Sequence, residues 1–168
     1  VYISSDDENL NSAIMTVKLI DFSGNMYADD GFSVDIPGNT SLVYYDTLQT
    51  ALLGKLNPKE LLLLVTLNGG PSGVREKNLL YFVPPKDIDL PVSAITKKVT
   101  ETSTGYSIKL SCDNLVKNLF LSTSVKGDFS DNYFDLLPGE SVEIQFTTPK
   151  KNPKMADLIV VKSLIDSY

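Results

Sequence analysis

Apolar and polar positions alternate with a period of two through most of the chain, and turn residues bound the alternating stretches, so the pattern predicts strands almost throughout. Val142-Glu143-Ile144-Gln145-Phe146-Thr147 is the cleanest case: Val142, Ile144 and Phe146 face a core, Glu143, Gln145 and Thr147 face water. The turn before it is Leu137-Pro138-Gly139-Glu140, with Pro at the second position and Gly at the third, where φ must be positive. Tyr106, Ile108, Leu110 and Cys112 share one face of a second alternating run. Ile95 to Val99, Leu119 to Val125 and Leu158 to Leu164 complete a series spaced as in a sandwich rather than as in parallel βαβ units.

The earlier half reads in the same way. Ala13 to Phe22 is rich in β-branched and apolar residues and ends in the turn Ser23-Gly24-Asn25. Phe32 to Ile36 follows Asp30-Gly31 and closes on Pro37-Gly38-Asn39, and Leu42 to Tyr45 is the next strand. Leu61 to Leu67 and Val74 to Val83 are two more, separated by a loop over Asn68 to Gly73. A short helix is predicted over Thr47 to Gly54, with Leu48, Leu52 and Leu53 on one face, Asp46 or Thr47 as its cap and Gly54 as its stop.

Pro84-Pro85-Lys86-Asp87-Ile88-Asp89-Leu90-Pro91 interrupts the pattern. Three prolines fix φ and withhold backbone donors, which predicts a stiff extended connector. The expected organisation is all-β: two tandem immunoglobulin-like antiparallel β-sandwich domains of six or seven strands each. Their boundaries are residues 1–85 and 92–168, with a Pro-rich linker at 86–91.

Composition removes several functions. Histidine is absent from the 168 residues, which eliminates the commonest general base, Ser-His-Asp and Cys-His nucleophile systems and most zinc sites. With 21 acidic against 15 basic residues, the net charge of −6 disfavours nucleic acid and anionic membrane surfaces as partners. Apolar runs such as Leu61 to Val65 are far shorter than the ~18 residues of a membrane span, so a soluble chain is expected. The single cysteine, Cys112, reads as a small core residue, since no second cysteine can pair with it. No cofactor site is expected: the glycine-rich stretch Asn68 to Gly73 lacks the GK[ST] ending of a phosphate loop.

Carboxylates remain as candidate chemistry, because a pair can hydrolyse a glycosidic bond without histidine. Glu8, Glu60, Glu76, Glu101, Glu140 and Glu143 nonetheless fall near turns or on solvent faces, so no catalytic residue is assigned. Asp128, Asp131 and Asp135, together with Asn132, have oxygen ligands at a spacing that can hold Ca²⁺, though the run does not match an EF-hand and turn-capping explains it better. Tyr44, Tyr45, Tyr81 and Tyr106 are the aromatic residues available for stacking on sugars, and the absence of Trp weakens that reading. Asn39-Thr40-Ser41 has the form of a glycosylation acceptor.

Two regions carry a resemblance. Asn78 to Pro91, followed by Leu119 to Thr123 and Phe129-Ser130-Asp131-Asn132-Tyr133-Phe134-Asp135-Leu136-Leu137-Pro138-Gly139-Glu140, resembles the C-terminal region of β-mannosidases of glycoside hydrolase family 2. The resemblance covers essentially the whole chain and implies the last two β-sandwich domains of such an enzyme. Its catalytic carboxylates lie on a (β/α)₈ barrel, so none is carried onto a position of this sequence. The motif Asp131, Asn132, Tyr133, Phe134, Pro138 and Gly139 is expected to be structural: Phe134 and Leu136 enter the core, Tyr133 hydrogen-bonds across the loop, and Pro138-Gly139 turns the chain.

The resulting expectation is a non-catalytic accessory fragment that packs against the catalytic barrel of its own, longer polypeptide. The parent would hydrolyse terminal β-mannosyl O-glycosidic bonds, and related exo-acting family 2 enzymes fit as well. Weak carbohydrate contact is a further possible partner interaction. The resemblance implies a secreted, periplasmic or lysosomal setting. The alternatives are a stand-alone carbohydrate-binding module, which would need an aromatic strip or a groove with amides and carboxylates aimed into it, and a structural Ig-like spacer.

Overall fold

The structure is a computed structural model and describes residues 1–6, 9–69 and 73–167, with Val74 described by its backbone alone. It is nearly all β, with antiparallel pairing throughout. The chain divides into two compact units, Val1–Asp21 with Asn25–Asp89, and Phe22–Gly24 with Leu90–Tyr168. The turn Phe22–Gly24, which a linear reading places in the first half, groups with the second unit.

The first unit has six strands among the described residues: β1 (Tyr2–Ser5), β2 (Leu10–Asp21), β3 (Met26–Ile36), β4 (Thr40–Val43), β5 (Leu61–Gly69) and β6 (Val74–Tyr81). Four form a sheet in the order β3-β2-β5-β6, whereas β1 and β4 pair only with each other. Alternation in β2 buries Ala13, Met15, Val17 and Leu19, which join Leu61, Leu63 and Leu67 of β5 and Val34 and Ile36 of β3 in one cluster. On the opposite face Thr16 and Thr66 stand directly across and their hydroxyls hydrogen-bond at 2.6 Å.

Three local expectations are corrected here. β3 runs unbroken through Asp30-Gly31, because both residues pair with β2, Asp30 with Val17 and Gly31 with Thr16. β5 continues through Asn68 and Gly69, which pair with Arg75 and Val74; of the expected loop, residues 70–72 lie outside the described residues. The predicted helix shortens to α1 (Gln49–Leu53). Its N-cap is the extended Leu48, no side chain caps it, and Leu48 therefore points to water, 74% exposed, while Leu53 is buried. Gly54 ends it as expected, at φ +55° with its N–H donated to the Thr50 carbonyl.

The Pro-rich segment is not wholly extended. Pro85–Asp87 makes one 3-10 turn, in which Pro supplies the fixed φ of a first helical position, and Asp89 N–H bonds to the Lys59 carbonyl at 3.0 Å.

The second unit has seven strands among the described residues: β7 (Ile95–Glu101), β8 (Gly105–Cys112), β9 (Val116–Ser122), β10 (Asp128–Phe129), β11 (Phe134–Leu136), β12 (Ser141–Thr147) and β13 (Val160–Lys162), with a short helix α2 (Met155–Leu158). Two sheets, β10-β12-β8-β7 and β11-β9-β13, face one core. The register sets Leu110 opposite Val142, Ile108 opposite Ile144 and Tyr106 opposite Phe146, so the two runs with the clearest alternation stack their apolar faces in pairs. Burying each such aliphatic side chain contributes on the order of 1.5–3 kcal/mol. The strand expected over Leu158 to Leu164 begins later and is shorter, because α2 occupies Leu158 and a 3-10 turn begins at Leu164. Lys97 explains how that helix ends: its ammonium reaches the free carbonyls of Ala156 and Ile159.

Candidate functional site

The stretch from Asp131 to Glu140 connects both sheets of the second unit, and each of its polar residues has an assigned task. β11 pairs with β9 at Phe134↔Leu119 and Leu136↔Val116, and the register slips between them. The slip leaves Asn118 at φ +51°, a conformation Asn tolerates better than most residues. Asp135 closes the irregularity by accepting Asn118 N–H at 2.7 Å and pairing with the Lys117 ammonium at 3.1 Å. Beyond the end of β11, Asn132 replaces a strand residue with its side chain: its Oδ1 accepts Leu121 N–H at 2.7 Å and its Nδ2 donates to the Leu121 carbonyl at 2.8 Å.

Phe134 packs against the core, Leu136 is buried, and Pro138-Gly139 forms the anticipated turn, with Gly139 at φ +76° and Glu140 N–H bonded to the Leu137 carbonyl. Tyr133 differs from expectation. It makes no bond across the loop through its hydroxyl; at φ +62° its ring turns out to water and stacks on Phe120, centroids 4.7 Å apart. Asn132 takes the bridging role assigned to Tyr133, because a short amide held beside the strand matches the backbone's donor and acceptor and a phenol does not.

The three aspartates considered for calcium are not gathered. Asp135 is engaged by Lys117 and Asn118, Asp131 accepts the N–H of Asn132 at 2.7 Å, and Asp128 lies on β10 opposite Thr147. Among the described residues no group of three or more His, Cys, Asp or Glu side chains converges.

The glutamates are dispersed. Glu60 accepts from the Asn57 amide, Glu101 pairs with Lys151 at 2.8 Å, Glu76 is exposed on β6, and Glu140 is part of the turn before β12. Glu143 accepts from Ser107 Oγ at 2.7 Å and Gln145 Nε2 at 3.0 Å, and these two bonds lower its pKa. Glu8 lies outside the described residues.

The tyrosines do not form a stacking strip. Tyr106 is in the core, its hydroxyl donating to the Asn152 carbonyl at 2.8 Å and accepting the Asn152 N–H at 2.6 Å. Tyr44 and Tyr45 lie past the end of β4, so alternation does not divide them: both are half-buried, Tyr44 donates to the Asp35 carbonyl, and burial raises the pKa of Tyr45. Tyr81 is half-buried as the last residue of β6. Cys112 is a core residue whose thiol faces the Leu136 and Leu137 carbonyls at 3.4 Å, and burial pushes its pKa up. Asn39 is exposed in the turn before β4.

The first unit contains a feature that the sequence did not announce, an open cavity of about 950 Å³ beside β1, β5 and β6. Among the described residues, no helix is long and apolar enough to cross a membrane.

Two antiparallel sandwiches in tandem define an all-β module of immunoglobulin-like type. Residues 1–87 match the family described as the mannosidase Ig/CBM-like domain, and residues 90–167 match an Ig-fold domain found in mannosidases. The chain belongs to the mannosidase Ig/CBM-like domain family, followed by that Ig-fold domain. Among solved structures it is similar to a β-D-mannosidase from Dictyoglomus thermophilum, with 17% identity and a TM-score of 0.71 over 94% of this chain and 19% of that one. It is also similar to the exo-chitosanase CsxA from Amycolatopsis orientalis, with 11% identity and a TM-score of 0.54 over 94% of this chain and 23% of that one. At these identities the likeness establishes the fold, and the chain spans about a fifth of the length of either structure. No curated protein sequence matches it.

Proposed function

We propose that this chain is the non-catalytic C-terminal accessory region of a larger β-mannosidase-type glycoside hydrolase of family 2, in which it packs against the catalytic barrel. The observation that carries the reading is the ordered pair of family matches, 1–87 then 90–167, over nearly the whole chain. The similar glycosidase structures, of which the chain spans about a fifth, support it. Domain limits of 1–85 and 92–168, with the linker at 86–91, belong to the same proposal.

Within that enzyme the catalytic acid/base and nucleophile reside elsewhere, and this region supplies a folded surface that supports the barrel. The test is expression of the complete open reading frame with and without residues 1–168. The complete protein hydrolyses p-nitrophenyl β-D-mannoside, and the shortened protein loses thermal stability. Hydrolysis by the 168-residue chain alone, abolished by mutating one of its own carboxylates, would overturn the proposal.

A further inference from the structure

β1 pairs with β4 on one side only, so its other edge is unpaired among the described residues. Antiparallel pairs alternate between hydrogen-bonded and non-bonded positions. Tyr44 N–H bonds to the Val1 carbonyl at 3.0 Å, which makes Val1 a bonded position, and Ile3 is the next. Tyr2 and Ser4 therefore turn their N–H and C=O groups toward the free edge. The 2.8 Å contact between the Ser4 and Ser41 hydroxyls fits this assignment, since side chains stand closest at non-bonded pairs.

The cavity of about 950 Å³ is lined by β1 on one side and by β5 and β6 on another. Cross-strand partners share a face, and Leu80 of β6 stands opposite the buried Leu63 of β5. Leu80 thus belongs to the inward face of the sheet, yet it is 55% exposed and lines the cavity with Val65 and Leu67. An exposed Leu80 on the inward face, next to a strand edge whose donors and acceptors are unpaired among the described residues, is an arrangement that strand addition fills.

We propose that an extended segment from the remainder of the parent polypeptide adds to β1 as a third strand and covers Leu80 with an apolar side chain. This rests on the reading that the chain belongs to a longer enzyme, and similar structures four to five times its length give that segment a source. The lining is mixed: Val65, Leu67 and Leu80 lie beside Asn78 and Glu76, the partners of Val65 and Leu67 across the sheet, and β1 offers main-chain groups at every second residue. An added strand reads that spacing.

Amide hydrogen exchange tests the proposal, with the 168-residue chain and the complete polypeptide compared side by side. Tyr2 and Ser4 amides exchange freely in the chain alone and are protected by at least about tenfold in the complete protein. Ser4→Pro returns Tyr2 to free exchange in the complete protein, whereas Ser4→Ala, which loses the same hydroxyl bond to Ser41 but keeps the N–H, leaves Tyr2 protected. Free exchange of Tyr2 and Ser4 in a complete protein that does hydrolyse β-mannosides overturns the added strand and spares the enzyme reading. An open reading frame without a catalytic domain sinks both. Protection in the chain alone with a doubled mass assigns the edge to a second copy, and protection by mannohexaose assigns the cavity to glycan. Either result overturns the proposal.

Discussion

Asn132 meets Leu121 as one strand residue meets another, accepting its N–H at 2.7 Å and donating to its carbonyl at 2.8 Å, although the bonding groups are a side-chain amide and not a backbone. Leu121 is 1% exposed, so its peptide groups have little access to water and depend on this partner. The most recognisable motif in the sequence is therefore a device for continuing a ladder past the end of β11.

Asn132→Ala removes both bonds and leaves two buried backbone groups without partners. The expected loss is about 1–3 kcal/mol of stability, measured by urea denaturation, with faster amide exchange at Leu121. Asn132→Asp keeps the acceptor and loses the donor, so it protects Leu121 N–H and still destabilises. Unchanged stability in the alanine variant contradicts the surrogate-strand role.

Tyr106 both donates to and accepts from Asn152, and this ties the chain after β12 to β8. Tyr106→Phe keeps the ring in the core and deletes only the hydroxyl. A cost of about 1–2 kcal/mol follows from the loss of two bonds at a partly buried site. A thermal melt of the variant checks this.

Gly105 and Gly139 offer a contrast. A Cβ on Gly105 would lie 2.0 Å from the Phe146 carbonyl oxygen, a backbone atom that cannot yield without breaking the β8–β12 register. Gly139 has open space, and its positive φ alone opposes a side chain. Gly105→Ala is expected to cost more than about 3 kcal/mol or prevent folding of the second unit, and Gly139→Ala about 1 kcal/mol. Similar melting temperatures for the two variants contradict the packing argument.

Burial, the larger cause, and the negative charge of Asp113 raise the Cys112 pKa, so the folded chain holds that proton more tightly than the unfolded chain does. Stability from this source is complete below the unfolded thiol's pKa of about 8.5 and declines as pH rises from there through the folded value. Cys112→Ala should remove that alkaline decline, and the native thiol should react with DTNB at pH 8 far more slowly than the urea-unfolded chain. Equal rates contradict the burial.

Alternation was enough to place Tyr106, Ile108, Leu110 and Cys112 on one buried face and Ile144 and Phe146 on another, because a strand's side chains follow local geometry. The turn at Pro138-Gly139 and the helix stop at Gly54 were legible for the same reason: φ is a property of a residue and its neighbours. Three of the short strands were not legible. β1, β10 and β11 have two to four residues each, and pairing partners define them, not patterning.

Local pattern and composition set the all-β class, the alternating core faces and the lack of histidine. Long-range contacts set the rest: Asn132 and not Tyr133 bridges to β9, the aspartates stay apart, and β1 keeps one edge unpaired among the described residues near the exposed Leu80. Each of these depends on which residues distant in sequence come within hydrogen-bonding reach, and a pattern of period two records the face of a residue but not its partner.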